Sequence, residues 1–403
     1  MKRHLTESQK NEYVYYLSLV SAVLNGTSPQ IPDENCDFER MKQISKETRT
    51  DAIFDEAVIL LSKKYSLSDE LISYAKKSIN NWIYIDTVMK YEVELLIDSF
   101  EKEEIYNLPM KGYVLKNDYP QPFHRSIADY DILFDIKDIE KVKSIFEKNG
   151  YLFLKNDDQQ YHFQKKPFMY IEMHQSLLKK TRKPYKLFEN QLEVAKIRDN
   201  YKYSKEMSLE DYYVYMIIHS AKHFVKGGIG LRMIADEYVF YKKYAEKLDE
   251  KYLDNLLADC GMTLFEKRIR EMAFKWFSPN SKIENFDDIE EFVLMSYALG
   301  RMDVAVMSDV ENEKVSGDSA KNSKAKAVLR SVFPDINRMK YDYKFLEKCS
   351  LLLPFSWICM WCKRIFVEKN VNLKRGFANR FSYTDDDVDF YANLKREVGL
   401  DTY

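Results

Sequence analysis

The sequence predicts a mostly helical α+β fold, and three observations support this prediction. The chain has 11 glycines and 10 prolines in 403 residues, too few for the many turns of an all-β sandwich or barrel. Apolar residues recur every 3.6 residues through much of the first hundred residues and again beyond residue 184. From Ile105 to about Leu177, short apolar runs surround one clear helical pattern, which indicates a small α/β region within a helical chain.

The helical predictions begin with a capping box, in which Thr6 is followed three residues later by Gln9, and this first helix ends at Gly26. Another helix begins at Asp138 and is closed by Asn149-Gly150. The remaining helical patterns cover residues 53–61, 69–104, 212–224, 231–244, 252–257 and 265–277. The predicted strands are Ile105–Met110, Asp129–Phe134, Tyr151–Leu154, Tyr161–Gln164 and Met169–His174.

These elements divide the chain into five predicted regions. Residues 1–104 form a helical N-terminal region, and residues 105–200 form the α/β core. A helical second lobe follows over 201–307, and a helical C-terminal module covers 329–403. Residues 308–328 between them are predicted to be a mobile linker, because the segment is rich in Ser, Lys, Glu, Asp and Asn and has almost no apolar anchors.

Charge and apolar patterning restrict the partners. Lys and Arg total 62 and Asp and Glu total 64, a net charge of -2, so no strong positive field attracts nucleic acid. The polar N-terminus lacks the apolar core of a signal peptide. The apolar stretch Leu351–Cys362 is broken by Pro354 and is shorter than the ~20 residues of a membrane span. Five scattered cysteines fit a reducing compartment. We therefore expect a cytoplasmic protein without membrane or nucleic-acid partners.

Asp129 and Asp131 give the strongest chemical signal. They are two residues apart at a predicted strand, so both carboxylates lie on the same face while Ile132 and Phe134 face the core. Such a pair suits Mg²⁺, which prefers oxygen ligands and is commonly bound by one or two carboxylates together with substrate phosphates. A solvated strand edge that carries two acids is the alternative interpretation of this motif.

Two further segments agree with a nucleotide site. Glu172 lies on another predicted strand and supplies the third acid that a two-metal site requires. Lys111-Gly112 follows the first predicted strand and precedes a short helical pattern, which presents backbone N–H groups and a cation to phosphate.

Together these motifs resemble the uncharacterised nucleotidyltransferase family of bacteria, within the DNA polymerase β-like nucleotidyltransferase superfamily. The resemblance spans roughly residues 105–366. It is carried by Lys111-Gly112, Tyr119-Pro120, Arg125, Asp129-x-Asp131, Glu172-x-His174, His219-x-x-x-His223, Phe333-Pro334 and the segment from Leu352 through Pro354 to Trp357.

The resemblance implies a minimal nucleotidyltransferase fold, in which a short mixed sheet carries the acids and helices lie behind it. It also implies that Asp129 and Asp131 hold two Mg²⁺ or Mn²⁺ ions and that Glu172 holds the catalytic ion. The superfamily usually has Gly-Ser after the first strand, whereas this chain has Lys111-Gly112. Phosphate binding by Lys111, Gly112 and Arg125 is inferred from charge and position.

Three histidines remain to be assigned. His219 and His223 are four residues apart on a helical pattern and share one face. A zinc site of the His-Glu-x-x-His type is disfavoured because Ser220 stands where the glutamate would be. Core histidines are one interpretation, and a substrate-facing role beside the acids, shared with His174, is the other.

The sequence thus predicts a metal-dependent nucleotidyltransferase. It would transfer a nucleoside monophosphate from a nucleoside triphosphate to an unknown acceptor, a small molecule or a protein side chain, and release pyrophosphate. The alternative is a catalytically inactive member of the same fold that binds nucleotide as a sensor or as a partner in a complex.

Overall fold

The computed structural model describes residues 3–33, 36–157, 160–178, 184–279, 281–296, 304, 307, 329, 332–336, 339–340, 343, 345–363 and 384–401. The chain forms two compact units. The larger unit comprises His4–Ala221 and Ile229–Ala298, and the smaller comprises Met1–Arg3, Lys222–Gly228 and Leu299–Tyr403. The division into five regions stays a prediction, and residues 308–328, the predicted linker, lie outside the described residues.

Helices make up most of the chain. In order they are α1 (Glu7–Leu24), α2 (Phe38–Thr48), α3 (Asp51–Leu61), α4 (Asp69–Lys102), α5 (Gly112–Leu115), α6 (Ile139–Lys148), α7 (Tyr185–Phe188), α8 (Gln191–Val194), α9 (Leu209–Gly227), α10 (Leu231–Tyr244), α11 (Glu250–Cys260), α12 (Thr263–Phe277), α13 (Asp288–Leu294), α14 (Phe345–Lys348), α15 (Leu353–Cys362) and α16 (Asp385–Glu397). Within the described part of the chain, no helix is long and apolar enough to span a bilayer.

The helix boundaries follow the local sequence signals. The capping box at α1 is confirmed, because the Thr6 hydroxyl accepts from the Gln9 amide and the Gln9 side chain accepts from the Thr6 amide. Helix α10 has the predicted bounds. Helix α2 is absent from the predictions because only Met41 and Ile44 are apolar among its buried residues.

A five-stranded mixed sheet carries the predicted acids. Its strands are β1 (Asn107–Pro109), β2 (Tyr130–Phe134), β3 (Leu152–Asp157), β4 (Gln160–Lys165) and β5 (Met169–His174), in the order β1-β2-β5-β4-β3. Strands β2 and β5 pair in parallel, and the other pairs are antiparallel. A separate two-stranded sheet joins β6 (Lys196–Ile197) to β7 (Lys205–Glu206). The predicted α+β, mostly helical fold with a short mixed sheet is confirmed.

Alternation along the strands separates a core face from a site face. Tyr130, Ile132 and Phe134 of β2 belong to one apolar cluster with residues of α4, α6, β4 and β5. Within this cluster Phe146 of α6 stacks on Phe163 of β4, with ring centroids 4.0 Å apart. Since successive strand side chains point to opposite faces, the residues between these apolar positions lie on the other face of the sheet. That face carries the polar residues described below.

A buried acid pair joins three helices of the larger unit. The Tyr213 hydroxyl of α9 contacts Glu237 of α10 and lies 2.6 Å from Glu266 Oε1 of α12. Arg270 Nε is 3.1 Å from the same Glu266 oxygen. One hydroxyl proton cannot serve two carboxylates, and Glu266 has the arginine as its counter-charge. Burial, together with the charge of Glu266, raises the pKa of Glu237 to about 8 despite the Tyr213 hydrogen bond.

We predict that Glu237 makes the protein less stable as pH rises from 5 through 8. The folded state keeps this proton up to about pH 8, whereas the unfolded chain releases it near pH 4.3. The stability contributed by the protonated form is therefore complete below pH 4.3 and lost as pH passes 8. Relative to wild type, Glu237→Gln should gain on the order of 4 kcal/mol between pH 5 and pH 9 in urea unfolding.

The exposed Glu250 of α11 provides the matched control for this measurement. Glu250→Gln should keep the wild-type pH profile. An equal pH slope in wild type and Glu237→Gln would show that Glu237 is ionised in the folded protein.

Candidate active site

Two carboxylates lie side by side at the centre of the sheet. Asp131 of β2 and Glu172 of β5 are direct partners in the parallel register, so their side chains share the site face. The Asp131 side chain is 2% exposed and that of Glu172 is 15% exposed. One ligand atom from each, together with one from His174, lie within 4.8 Å of one another. The structure thus brings the predicted acids of two separate segments together.

Opposite environments separate the two carboxyl groups. Burial and the charges of Asp131 and Asp129 raise the pKa of Glu172 to about 7. Burial alone would also raise the pKa of Asp131, but the charge of Lys111 and the hydrogen bond from His174 outweigh it and hold that pKa below its ordinary value. Asp131 is therefore the permanently ionised member of the pair.

Lys111 supplies the cation. Its Nζ lies 2.6 Å from Asp131 Oδ1. Burial would lower the pKa of Lys111, but the neighbouring Asp131 raises it, so the ammonium keeps its charge. Lys111 has a φ of +48°, which is rare for a residue with a side chain. The Tyr212 hydroxyl of α9 donates to the Lys111 carbonyl at 2.8 Å and holds this loop in place.

Arg125 is bound by Asp236, a carboxylate that was not among the predicted site residues. Its Nε and Nη2 donate to the two oxygens of Asp236 on α10 at 2.8 and 2.9 Å. Tyr119 donates to the same carboxylate at 2.6 Å. The third guanidinium nitrogen, Nη1, lies against Gly112, where a Cβ would collide with it. Arg125 therefore shapes the Lys111-Gly112 loop, and its phosphate-binding role stays a prediction.

Asp129 precedes β2 and is half-buried. Within the part of the chain that the structure describes, its carboxylate has no hydrogen bond or ion pair. Its charge contributes to the raised pKa of Glu172, but Asp129 is not in the group of ligand atoms within 4.8 Å of one another, which comes from Asp131, Glu172 and His174.

His174 acts on Asp131 from the end of β5. Its Nε2 lies 2.6 Å from Asp131 Oδ1, and its Nδ1 lies 3.3 Å from the Gln160 side-chain nitrogen. Because the Gln160 amide donates to Nδ1, the imidazole proton is on Nε2 and is donated to Asp131. This places His174 as a hydrogen-bond donor to the acid, and its predicted substrate-facing role stays a prediction.

His162 of β4 supports Glu172 and was not predicted from the sequence. It is the cross-strand partner of Glu172 in the β4–β5 register. Its Nε2 lies 2.8 Å from Asp157 Oδ2. Its other ring nitrogen, Nδ1, lies 2.9 Å from the Tyr170 hydroxyl and 3.3 Å from Glu172 Oε1. A sequence signal existed, because Gln160 and His162 alternate along the strand next to the one that carries Glu172 and His174.

Comparison with known proteins assigns the chain to a family. A family model described as an uncharacterised nucleotidyltransferase matches residues 35–278, more than half of the chain. The chain belongs to this nucleotidyltransferase family. A search of the curated proteins finds no match. The solution structure of the antibiotic-resistance factor ANT(2'')-Ia is similar at 10% identity over 47% of this chain and 90% of that chain, with a TM-score of 0.24. At that TM-score the likeness carries no structural conclusion.

Helix α9 of this nucleotidyltransferase borders the site through Tyr215. Burial raises the pKa of Tyr215 to about 12; the charge of Lys111 opposes this rise, and the charges of Asp131 and Glu172 add to it. His219 lies one turn further along and is half-buried, with its ring centroid 6.5 Å from that of Tyr215. His223 is also half-buried and belongs to the smaller unit. Substrate-facing roles for both histidines stay predictions.

We predict that Gly112→Ala destabilises the nucleotidyltransferase by about 1–3 kcal/mol, because the added methyl must displace a guanidinium that Asp236 fixes at two points. Thermal unfolding followed by circular dichroism measures the loss. The double variant Gly112→Ala, Arg125→Ala should show less than the sum of the two single losses, since it lacks the clashing atom. Full additivity of the two losses would contradict the proposed contact.

Proposed function

We propose that this nucleotidyltransferase is metal-dependent and transfers a nucleoside monophosphate to an acceptor hydroxyl. The acceptor oxygen forms a bond to the α-phosphorus of a nucleoside triphosphate, the bond from that phosphorus to the bridging oxygen breaks, and pyrophosphate leaves. The acceptor's proton passes to a base, and Glu172 is the proposed base. The observation that supports this proposal is the in-register pairing of Asp131 with Glu172 on one sheet face.

The donor set fits Mg²⁺ or Mn²⁺. Asp131 and Glu172 offer carboxylate oxygens within 4.8 Å of each other, and Asp129 lies close enough for its charge to act on Glu172. Hard cations prefer such oxygen ligands. His174 is assigned as a donor to Asp131, so the proposed ligands are the three carboxylates. When bound, two ions would stabilise charge on the entering and leaving oxygens.

Lys111 and Gly112 are the proposed binding residues for the triphosphate. Lys111 brings a charged, one-fifth-exposed side chain to the edge of the site, and Gly112 begins α5 without a side chain. Arg125 supports this loop, because its Nη1 packs against Gly112. Glu172 is more exposed than Asp131 and lacks a lysine partner among the described residues, so it is the acid better placed to meet an acceptor.

We expect Asp129→Asn and Glu172→Gln to lower nucleotidyl transfer on the order of 1,000-fold, comparable with the loss of an essential transition-state contact. Asp129 is the cleaner site, because its carboxylate has no described partner to lose, whereas Asp131→Asn would also break two buried hydrogen bonds. The assay incubates the protein with each α-³²P-labelled nucleoside triphosphate, Mn²⁺, and the small-molecule and protein fractions of a bacterial lysate. Label transfer and pyrophosphate release are measured.

The matched control is Asp135→Asn, which changes an acid just beyond the other end of β2 and should transfer label like wild type. Wild-type transfer by Asp129→Asn or Glu172→Gln would contradict the site. Nucleotide binding by wild type with no transfer to any fraction would favour the inactive nucleotide-binding sensor instead.

We also expect His162→Ala to lower kcat about 10- to 100-fold, as residues that orient a ligand commonly do when removed. The KM for nucleotide should change little, because His162 contacts Glu172 and Tyr170 and not the Lys111-Gly112 loop. His162→Asn should restore part of kcat, since its amide can take the place of Nδ1. Gln164→Ala, on the same face of β4, is the control, and an equal loss in both alanine variants would contradict this role.

A further inference from the structure

Lys111 is paired with Asp131, one of the carboxylates proposed to bind the metal. Its ammonium lies 2.6 Å from Asp131 Oδ1, and the same oxygen accepts from His174 Nε2 at 2.6 Å. Asp131 is almost fully buried, so it has little access to solvent that could replace either donor. Among the described residues, Lys111 is the only lysine or arginine bonded to Asp129, Asp131 or Glu172.

The charges of the cluster change when substrate arrives. Asp129, Asp131 and Glu172 together outnumber the one lysine of the cluster, so its net charge is negative. A divalent cation neutralises the acids, but it also repels an ammonium held at the same oxygen. A triphosphate brings strongly negative oxygens to which a lysine binds as a flexible point charge. Once metal and nucleotide are both bound, Lys111 is therefore attracted less strongly to Asp131 and more strongly to the phosphate.

The main chain of Lys111 is held in place, whereas its side chain is partly exposed. Its φ of +48° is a strained conformation for a residue with a side chain. Three donors hold its carbonyl: the Tyr212 hydroxyl at 2.8 Å and the Val114 and Leu115 amides at 3.2 and 3.0 Å. These contacts fix the main chain while about a fifth of the side chain remains exposed.

We infer that Lys111 is a resident counter-ion that holds Asp131 in the absence of substrate and transfers to the phosphates when nucleotide and metal bind. This inference rests on the proposed function. It means that Lys111 competes with free metal and favours the nucleotide, so that metal and nucleotide bind with positive coupling. The enzyme would then take up metal together with nucleotide and bind metal alone weakly.

Mn²⁺ binding by isothermal titration calorimetry, without nucleotide, tests this directly. Lys111→Met should bind Mn²⁺ about 10-fold more tightly than wild type, within the usual range of coupling between sites. In saturating Mg²⁺ the same variant should bind α,β-methylene nucleoside triphosphates about 10-fold more weakly. Opposite changes are the signature, because a variant that only damaged the fold would weaken both. Lys111→Arg, which keeps the charge, should stay close to wild type in Mn²⁺ binding.

Lys137→Met is the control, because Lys137 pairs with Asp135 at 2.8 Å on the exposed surface, and it should leave both affinities unchanged. Circular dichroism confirms that each variant folds. The inference is overturned if Lys111→Met binds Mn²⁺ no more tightly than wild type. If Asp131→Asn abolishes Mn²⁺ binding in the same experiments, the proposed metal site still stands and only the role of Lys111 is wrong. If no variant or wild type binds Mn²⁺ with or without nucleotide, the proposed metal-dependent function fails as well.

Discussion

The site depends on a single register, in which Asp131 of β2 lies beside Glu172 of β5. Parallel pairing sets two carboxylates next to each other on one face, and like charges in a partly buried place repel. The fold tolerates the pair because each acid meets a different environment. Asp131 receives Lys111 and His174, whereas Glu172 keeps a raised pKa. This imbalance gives one acid that is always charged and one whose charge a cation would stabilise.

Support for the pair comes from a neighbouring strand and from two helices. On the strand side, β4 contributes Gln160 to His174 and His162 to Glu172, each across a register pair. On the helix side, Tyr212 of α9 holds the Lys111 carbonyl, and α10 reaches the same loop through the Asp236–Arg125 ion pair. The loop that carries Lys111 is thus fixed by elements that follow it by about a hundred residues in the chain, which gives the helical part of the larger unit a direct role in the site.

Local pattern was enough to predict the five strands of the main sheet and most of the longer helices, because period-two and 3.6-residue repeats of apolar residues record which face is buried. The convergence of Asp131 and Glu172 also followed from strand faces, aided by the family resemblance. The partners of Arg125 and Lys111 could not be predicted from the sequence. Asp236 is 111 residues beyond Arg125, and no local pattern specifies an ion pair across that distance. The role of His162 depends on the β4–β5 register, which the sequence leaves open until the hairpin is built.

The residue types of the Lys111-Gly112 loop have a physical explanation in these contacts. Glycine is required second because the Arg125 guanidinium fills the space of a side chain there. Position 112 therefore carries no side chain, and Lys111 before it is the residue that supplies a polar group. The four-carbon stem of Lys111 reaches Asp131 from this position and brings a full charge to it. The position of Arg125 thus accounts for the glycine, and the lysine ties this loop electrostatically to Asp131, the acid proposed to hold the metal.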